Sequence, residues 1–303
     1  MPKAVITGAA GFAGFSVTRI LLERGYDVYA ILKPGSVHNG RMKHLTGSLH
    51  CVELDCAEFH KIPERISDRC DVFFHLAWFG ARDDEKVQQS NIGYCLDALR
   101  SACSVGCKRF IGIGSQAEYG ICGEVITEDT LTQPINAYGR AKLSAMESSK
   151  ALAAELGIEW IWGRIFSLYG DYEPSGRMLP DLIDSLLKGE RKKLSSCEQY
   201  WDYLHVRDCA NAIADLSEKG KSGEIYNIAN GDYRLLREFT EEVRRLINEK
   251  SVIDYGDKAC PFVSLKPDVT KLKEHTGWKP VIEFEEGVLK FADEKDQYND
   301  PLF

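Results

Sequence analysis

Short apolar segments alternate with longer amphipathic segments along the first half of the chain. We predict buried strands at Lys3–Thr7, Asp27–Leu32, Leu49–Leu54, Asp71–Leu76, Arg109–Gly114 and Glu159–Phe166. Apolar positions at helical spacing predict helices at Phe15–Arg24, Glu85–Val105 and Tyr138–Leu156. Strands that are apolar almost throughout lie in parallel sheets covered by helices on both faces. The pattern therefore predicts an α/β fold built on a doubly wound parallel sheet.

The pattern changes after about Ser167, where helices alternate with irregular segments and short strands. The helices are predicted at Leu179–Lys188, Val206–Ser217 and Leu236–Lys250, with a strand at Ile225–Ala229. We therefore expect a first domain over residues 1–166 and a smaller, mostly helical C-terminal lobe over 167–303, with some segments returning to the first domain. No Pro- or Ser-rich linker separates them, so we expect them to pack across a cleft.

Composition and charge exclude several classes of protein. The 303 residues carry a net charge of -8, which disfavours broad binding to nucleic acid or to anionic membranes. The most apolar stretch, Val72–Gly80, is much shorter than a membrane-spanning helix. The first strand follows the initial Met closely, which leaves no room for a signal peptide, so we expect a cytoplasmic protein. The ten cysteines lack the paired spacing of a zinc site, so we expect no metal.

A glycine-rich segment, Gly8–Gly14, lies between the first predicted strand and the helix that follows it. In this glycine loop, Gly8 allows a tight turn, Gly11 lets a pyrophosphate approach the backbone, and Gly14 allows close packing of helix on strand. The free N–H groups of the first helical turn would then face the phosphates. A turn without a ligand is the alternative, but the strand–loop–helix setting favours a Rossmann-type dinucleotide-binding domain. The candidate cofactor contacts are Gly8, Gly11, Phe12, Ala13 and Gly14.

Three polar residues are candidates for chemistry on a substrate oxygen. Tyr138 and Lys142 lie one turn apart on a predicted helix and project from one face. A nearby ammonium lowers the pKa of a tyrosine towards the range of a general acid or base, although the spacing also fits a solvated helix pair. Ser115 follows the fifth predicted strand, at the edge where open parallel sheets bind ligands. Its hydroxyl is placed either to bond a substrate oxygen or to cap the following turn.

Several short motifs occur in the order found in one enzyme family. The motifs are Thr7–Gly14, His75-Leu76-Ala77, Asn91-Ile92-Gly93, Lys108-Arg109-Phe110, Ser115–Gly120, Tyr138–Lys142 and Gly277-Trp278-Lys279-Pro280. Through them the chain resembles, over nearly its whole length, the extended short-chain dehydrogenase/reductase family. That family includes NAD(P)-dependent nucleotide-sugar epimerases, dehydratases and reductases. The resemblance implies an enzyme with a nucleotide-sugar substrate, and a homodimer joined through the helix that carries Tyr138.

The resemblance also implies roles for individual residues. By it, Tyr138 exchanges a proton with a sugar hydroxyl or carbonyl, Lys142 binds the nicotinamide ribose, and Ser115 polarises the same oxygen. The implied cofactor contacts beyond the glycine loop are Asp55, Cys56, Leu76, Ala77, Asn91, Tyr138, Lys142 and Phe166. The candidate substrate contacts are Ser115, Gln116, Ser167, Arg177 and Trp201.

The end of the second predicted strand bears on the choice of cofactor. NAD-using relatives usually carry an Asp or Glu there, whereas this chain has Leu32 followed by Lys33, with Ser36 nearby. A cation and a hydroxyl in place of a carboxylate suit the 2′-phosphate of NADP. A solvated surface lysine is the alternative reading of Lys33. We therefore expect NADP as the cofactor, with Lys33 and Ser36 as contacts. NAD is the alternative cofactor.

Two departures from the family's motifs narrow the reaction. Gln116 and Ala117 stand where 4,6-dehydratases carry an Asp-Glu pair. Neither residue can shuttle a proton, so dehydration is disfavoured. Trp201 replaces an arginine that contacts the nucleotide diphosphate in several members. The alternative phosphate contacts are Arg177, Lys258 and Lys266.

Three functions remain open from the sequence. We favour an NADP-dependent oxidoreductase that reduces a nucleotide-linked 4-keto (deoxy)sugar, because the NAD-type carboxylate is missing and the phosphate contacts are altered. An NAD-dependent nucleotide-sugar 4-epimerase would use the same residues and keep its cofactor bound. A non-catalytic dinucleotide-binding regulatory protein would have little reason to combine Ser115, Tyr138 and Lys142.

Overall fold

The computed structural model describes residues 1–257 and 264–299. The strands within these ranges are β1 (Lys3–Thr7), β2 (Asp27–Leu32), β3 (Leu49–Glu53), β4 (Val72–His75), β5 (Arg109–Ser115), β6 (Glu159–Ile165), β7 (Ser167–Tyr169), β8 (Lys192–Leu194), β9 (Tyr200–Trp201), β10 (Tyr203–His205), β11 (Ile225–Ile228), β12 (Arg234–Leu235) and β13 (Ile253–Tyr255). The α-helices are α1 (Phe12–Glu23), α2 (Ile62–Arg65), α3 (Glu85–Ser104), α4 (Ala137–Leu156), α5 (Met178–Leu187), α6 (Val206–Lys219), α7 (Leu236–Asn248), α8 (Thr270–Thr276) and α9 (Phe284–Asn299). Short 3-10 helices cover Val37–His44, Cys56–Lys61 and Gln116–Glu118.

A parallel sheet of seven strands forms the centre of the molecule, in the order β11-β6-β5-β4-β1-β2-β3. The chain runs outward from β1 to β3 and then crosses back to β4, on the other side of β1. In such sheets the ligand lies outside the carboxyl ends of the strands, where the strand order reverses. The Rossmann-type doubly wound parallel sheet predicted from the sequence is confirmed.

Helices cover both faces of this sheet. On one face α1 and α6 bury apolar side chains such as Phe15, Leu21 and Ile213. On the other face α3 and α4 bury Leu99 and Met146 against the strands. Full burial of each such side chain contributes about 1.5–3 kcal/mol, so the two layers hold the sheet and its loops in place. Within the described ranges, no helix combines the length and the apolar character needed to cross a membrane.

The second half of the chain contributes to two layers. Helices α5, α7 and α9 surround a separate apolar cluster that includes Leu182, Phe239 and Phe291. Strand β11 instead pairs with β6 at the edge of the main sheet, and α6 packs on α1. These two elements are segments of the second half that pack with the first domain, and the division at residue 166 stays a prediction.

Three element boundaries around the site differ from the predicted ones. Helix α1 begins at Phe12 rather than Phe15, because Gly11 in an extended conformation serves as its N-cap. Strand β5 continues one residue further, to Ser115. Helix α4 begins at Ala137, where the side chain of Asn136 accepts a hydrogen bond of 2.8 Å from the N–H of Gly139.

Candidate active site

A cavity of about 820 Å³ opens at the carboxyl ends of β1, β5 and β6. The glycine loop forms one wall, and the starts of α4 and α5 form others. The sequence-predicted site residues that line it are Gly8, Gly11, Phe12, Ala13, Gly14, Leu76, Ser115, Gln116, Tyr138, Lys142, Phe166, Ser167, Arg177 and Trp201. Residues predicted for cofactor, chemistry and substrate thus surround one space.

The glycine loop has the geometry that a dinucleotide pyrophosphate requires. Gly8 has φ +72°, and a Cβ there would lie 2.7 Å from the amide nitrogen of Ala77. A Cβ on Gly14 would overlap the carbonyl oxygen of Gly8, so the start of α1 packs directly on the turn. No side chain caps α1, so the first N–H groups of the helix keep their capacity for an anion. These residues fit the phosphates of a bound dinucleotide.

His75 at the end of β4 supports the glycine loop from below. Its Nδ1 lies 2.9 Å from the hydroxyl oxygen of Thr7, which is the last residue of β1. Burial, with a smaller contribution from the charge of Lys142, lowers the pKa of His75 to about 3, so its ring is neutral at physiological pH. The Thr7 hydroxyl also accepts a hydrogen bond of 3.4 Å from the N–H of Ala77. These contacts fix the two strand ends between which the loop is held.

Ser115 and Tyr138 face each other across the cavity. Ser115 is the last residue of β5, and its hydroxyl accepts a hydrogen bond of 3.2 Å from the N–H of Ala117. The capping role considered for Ser115 is therefore present. A side-chain hydrogen bond from Ser115 also lowers the pKa of the Tyr138 phenol, which lies in the first turn of α4. Both residues line the cavity, so a ligand bound there would lie beside both side chains.

The environment of Tyr138 differs from the expected one. Burial raises its pKa, and the hydrogen bond from Ser115 and the positive charges of Arg82 and Arg177 oppose that rise. The Arg82 guanidinium lies over the phenol ring, 4.9 Å from its centroid. The backbone carbonyl oxygen of Arg82 accepts a hydrogen bond of 2.9 Å from the backbone N–H of Tyr138. The sequence predicts Lys142 as the cation that lowers this pKa. The cations that lower it here are Arg82, whose loop packs over the start of α4, and Arg177.

Lys142 is buried between the sheet and the loop after β4. Its Nζ donates a hydrogen bond of 2.6 Å to the carbonyl oxygen of Ile113 and lies 3.7 Å from the ring centroid of Trp78. The distance from Nζ to the ring centroid of Tyr138 is 6.0 Å. Burial lowers the pKa of Lys142 to about 8. The carbonyl and the indole are therefore closer partners of the amine than the phenol.

A buried ion pair anchors the backbone at Ser115. Glu118 accepts hydrogen bonds of 2.8 Å from the N–H of Ser115, 3.1 Å from the indole N–H of Trp162 and 2.7 Å from Nε of Arg164. Both side chains of the ion pair are at most 2% exposed. The guanidinium of Arg164 also lies over the ring of Tyr119, 4.4 Å from its centroid. This network ties the turn after β5 to β6.

The far end of the cavity carries polar groups with few protein partners. Arg177 begins α5, and its guanidinium lies 5.6 Å from the ring centroid of Phe12. Burial raises the pKa of Glu173 to about 8, although the charge of Arg177 opposes the shift. Within the described residues, Oε2 of Glu173 and the indole N–H of Trp201 are buried without a hydrogen-bond partner. These groups are available to a polar ligand.

Four predicted cofactor contacts lie outside this cavity, at the carboxyl ends of β2 and β3. Lys33 is exposed, and Ser36 caps the 3-10 helix that follows it. Asp55 caps the next 3-10 helix by accepting the N–H of Ala57 at 3.1 Å. Burial raises the pKa of Cys56 to about 11, and the charge of Lys33 partly opposes the shift. In this fold the adenosine half of a dinucleotide binds along this edge.

Two further candidates, Asn91 and Lys266, have contacts away from the cavity. The Asn91 side chain is buried, accepts the N–H of Phe79 at 3.3 Å and donates to its carbonyl oxygen at 2.9 Å. Asn91 therefore supports the loop that carries Arg82. Lys266 donates a hydrogen bond of 3.0 Å to the carbonyl oxygen of Gly123 and does not line the cavity. Lys258 lies outside the described residues.

Sequence reasoning missed several residues of the site. They are Trp78, Arg82, Glu118, Glu173 and Tyr203. Trp78 and Arg82 lie in the loop after β4, and the rule that ligands bind at the carboxyl ends of parallel strands could have identified that loop. Glu118 and Arg164 are charged residues with apolar neighbours in the sequence. Two such residues of opposite charge could have indicated a buried ion pair.

Comparison with known proteins defines the class. The model of the NAD dependent epimerase/dehydratase family matches residues 4–229, and the chain belongs to that family. It is an enzyme of the extended short-chain dehydrogenase/reductase type, in a family whose members modify nucleotide sugars.

The relatives of this chain are enzymes named for different reactions. The chain is 27% identical to a UDP-glucose 4-epimerase from Corynebacterium glutamicum, over 92% of this chain and 91% of that one. It is 25% identical to a UDP-N-acetyl-alpha-D-glucosaminuronate decarboxylase from Bacillus cytotoxicus, over 94% of this chain and 95% of that one. The fold is similar to that of UDP-glucuronic acid 4-epimerase from Bacillus cereus in complex with NAD, with a TM-score of 0.86 and 22% identity over 98% of this chain and 100% of that one.

Replacing Tyr138 by Phe tests the proton-transfer role predicted for its hydroxyl. We expect Tyr138→Phe to lower turnover of nucleotide sugar by at least about a hundredfold, the usual share of a general acid or base. Thermal unfolding and cofactor binding should stay near wild type, because the ring and its contact with Arg82 remain. Tyr94→Phe, on a partly buried tyrosine of α3 that stacks on Phe79, is the matched control. Turnover of Tyr138→Phe within a few-fold of wild type would refute the assignment.

The buried amine of Lys142 should make stability depend on pH. Between pH 8 and 10.5 the unfolded chain holds the Lys142 proton, whereas the folded chain has released it. The free energy of unfolding of the cofactor-free protein should therefore rise through this window, by on the order of 3 kcal/mol. Urea titrations should show that Lys142→Met abolishes this rise and that Lys150→Met, on the exposed face of α4, retains it. An equal rise in Lys142→Met would show that Lys142 is not the group that titrates.

Proposed function

We propose that this protein is an NADP-dependent oxidoreductase that reduces the keto group of a nucleotide-linked 4-keto (deoxy)sugar. The observation that carries the proposal is the single cavity that Ser115, Tyr138, Lys142 and the glycine loop line together. A substrate carbonyl oxygen between the hydroxyls of Ser115 and Tyr138 would receive a proton from one and a hydrogen bond from the other. The nicotinamide supplies or accepts the hydride when it is bound.

Tyr138 is the proton donor in the proposed reduction. Its phenol can donate a proton to an oxygen that gains negative charge, and burial raises its pKa. Ser115 hydrogen-bonds the same oxygen, and the backbone that positions it is fixed by Glu118. Positioning two donors on one oxygen before the reaction lowers its barrier, because no reorganisation is needed during the step.

Other residues of the chain fit the task of holding the dinucleotide. The N–H groups at the start of α1 would hold the pyrophosphate, and Lys142 would hold the nicotinamide ribose. Asp55 and Cys56 would lie beside the adenine. Glu173, Arg177 and Trp201, whose polar groups border the far end of the cavity, would contact the nucleotide sugar. The apolar walls of the cavity would exclude water from the reacting atoms.

The end of β2 supports NADP as the cofactor. Leu32 closes the strand with a buried apolar side chain, so this position offers no carboxylate to the ribose hydroxyls of NAD. Lys33 and Ser36 follow at once, and the Ser36 hydroxyl keeps its proton for donation while it caps the next helix. A cation and a donor at this edge match a 2′-phosphate.

A nucleotide-sugar 4-epimerase is the second candidate, and it would use the same Ser115, Tyr138 and Lys142. The similarity to a UDP-glucose 4-epimerase over 92% of this chain favours it. A dehydratase is disfavoured, since Gln116 and Ala117 cannot exchange a proton. A non-catalytic regulatory protein is excluded by membership of the enzyme family.

Cofactor preference separates the two candidates. We expect NADPH to bind at least about tenfold more tightly than NADH, because a charge-assisted contact to the 2′-phosphate is gained. Nicotinamide fluorescence titration measures both dissociation constants, and mass spectrometry identifies any nucleotide that co-purifies. Lys33→Ala should reduce the difference between the dissociation constants for NADPH and NADH. Lys43 is an exposed lysine in the same connection, and Lys43→Ala should leave that difference unchanged. Stoichiometric NAD that resists dialysis would overturn the reductase and support the epimerase.

A further inference from the structure

Glu173 is a buried acid in the wall of the cavity, and neither proton transfer nor cofactor binding requires it. It lies in the connection between β7 and α5 and is 7% exposed. Its Oε2 is buried and has no hydrogen-bond partner among residues 1–257 and 264–299. Arg177 acts on the carboxyl through its charge, without a hydrogen bond, and its guanidinium lies over the ring of Phe12. Glu173 is therefore an acid whose partner the described residues do not supply.

The connection that carries Glu173 is held against α1. Tyr172, the residue before it, has φ +65°, a left-handed backbone that a bulky side chain rarely adopts. The Tyr172 ring packs edge-on against Phe15 of α1, with the ring centroids 4.7 Å apart. Asp171 accepts a hydrogen bond of 3.1 Å from the Arg19 guanidinium, also on α1. These contacts maintain a strained turn directly before Glu173, and strain of this kind is concentrated at ligand sites.

A carboxyl in the position of Glu173 lowers the stability of the protein without its ligand. Removing a polar group from water is costly unless a hydrogen bond replaces the lost contact with water, and Oε2 has none within the described ranges. Burial raises the pKa of Glu173 to about 8, although the charge of Arg177 and a backbone hydrogen bond at Gly170 oppose the rise. A buried acid of this kind in a cleft is a candidate for ligand recognition.

The surroundings of Glu173 indicate which ligand group fits. Phosphate oxygens are negatively charged and offer no hydrogen to a carboxyl, so Glu173 is unsuited to a diphosphate. A sugar hydroxyl is neutral, and it both donates and accepts a hydrogen bond, as does a carboxyl that keeps its proton. Among the described residues that line the cavity, Glu173 is the only acid, and it shares the wall with the rings of Trp201 and Tyr203. Apolar and aromatic walls with a few polar groups that fix orientation are typical of small-molecule sites.

We infer that Glu173 selects the substrate by hydrogen-bonding one ring hydroxyl of its sugar, on a carbon other than the one that is reduced. The inference rests on the proposed function for the class of ligand, a nucleotide sugar, and adds which sugars the site accepts. A sugar without this hydroxyl leaves the carboxyl buried and unpaired, and sites built to bond a hydroxyl strongly reject the analogue that lacks it. Glu173 is a specificity-determining residue and takes no part in proton transfer.

Binding of nucleotide sugars to Glu173 variants tests this inference. The probes are UDP-glucose and dTDP-glucose, their 2-deoxy and 3-deoxy analogues, and UDP and dTDP alone, measured by calorimetry with the nicotinamide cofactor bound. In the wild type, one of the two deoxy analogues should bind at least about tenfold more weakly than the parent sugar. Glu173→Met should bind the parent no better than that analogue, and it should bind UDP and dTDP within about twofold of wild type.

Two control variants separate loss of the hydrogen bond from other effects of substitution. Glu173→Gln should keep the preference for the parent sugar, because an amide also donates and accepts. Glu190 is an exposed acid that follows α5 outside the cavity, and Glu190→Met should bind every probe like wild type. A preference for the parent sugar that survives in Glu173→Met would overturn the inference, as would a wild type that binds both deoxy analogues like the parent. Weaker binding of UDP or dTDP by Glu173→Met would also overturn it.

Thermal unfolding of the ligand-free protein distinguishes a role in selection from a role in the fold. Glu173→Met should unfold at or above the wild-type temperature, because it replaces a buried carboxyl without a partner by an apolar group of similar length. A lower unfolding temperature, or a variant that does not fold, would overturn the inference and assign Glu173 to the stability of the protein.

The outcome for the proposed function stays distinguishable. A wild-type protein that binds no nucleotide sugar overturns both proposals. One that reduces a 4-keto sugar but binds the parent and both deoxy analogues alike overturns only the role of Glu173. A preference that is lost in Glu173→Met, in a protein that reduces no 4-keto sugar, supports the role of Glu173 and overturns only the reductase.

Discussion

The hydrogen bond from Lys142 Nζ to the carbonyl oxygen of Ile113 joins α4 to the end of β5, and the geometry of the site depends on it. A buried amine needs such a partner, because an unsatisfied polar group in the interior is costly. The carbonyl belongs to the residue two before Ser115, and Tyr138 lies one turn before Lys142 on the helix. The bond therefore holds the part of α4 that carries Tyr138 against the end of β5 that carries Ser115, a structural task beside the cofactor contact expected of Lys142.

Two further networks hold the remaining walls. Glu118 receives hydrogen bonds from Ser115, Trp162 and Arg164, so the turn after β5 cannot shift without leaving a charge unpaired in the interior. On the opposite side, Gln88 donates to the carbonyl oxygen of Ala81 at 3.0 Å, and its carbonyl oxygen accepts the Trp78 indole N–H at 2.7 Å. Helix α3 thereby fixes the loop after β4. Two walls of the cavity are thus hydrogen-bonded to elements of the core.

The sequence predicted the parts of this protein that depend on local patterns. The parallel sheet follows from continuous apolar segments, and the glycine loop and the Tyr138–Lys142 pair follow from fixed spacing along the chain. Arg82 could not be assigned in this way, since its contact with Tyr138 arises only when the connection after β4 folds onto α4. The start of α1 was misplaced for a related reason, because an N-cap glycine carries no side-chain signal. Asn91, a family motif residue, has its hydrogen bonds within the loop after β4 and its own helix, and its contact with the cofactor stays a prediction.

We propose that Ser115 and Tyr138 act on one substrate oxygen, and kinetic coupling between them is the most direct test of this claim. Turnover is compared for Ser115→Ala, Tyr138→Phe and the double variant. Ser115→Ala alone should lose on the order of a hundredfold, the value of one transition-state hydrogen bond. The double variant should be close to Tyr138→Phe alone, because the second loss falls on an oxygen that already lacks its proton donor. Losses that multiply strictly would contradict the claim and place the two hydroxyls on separate steps.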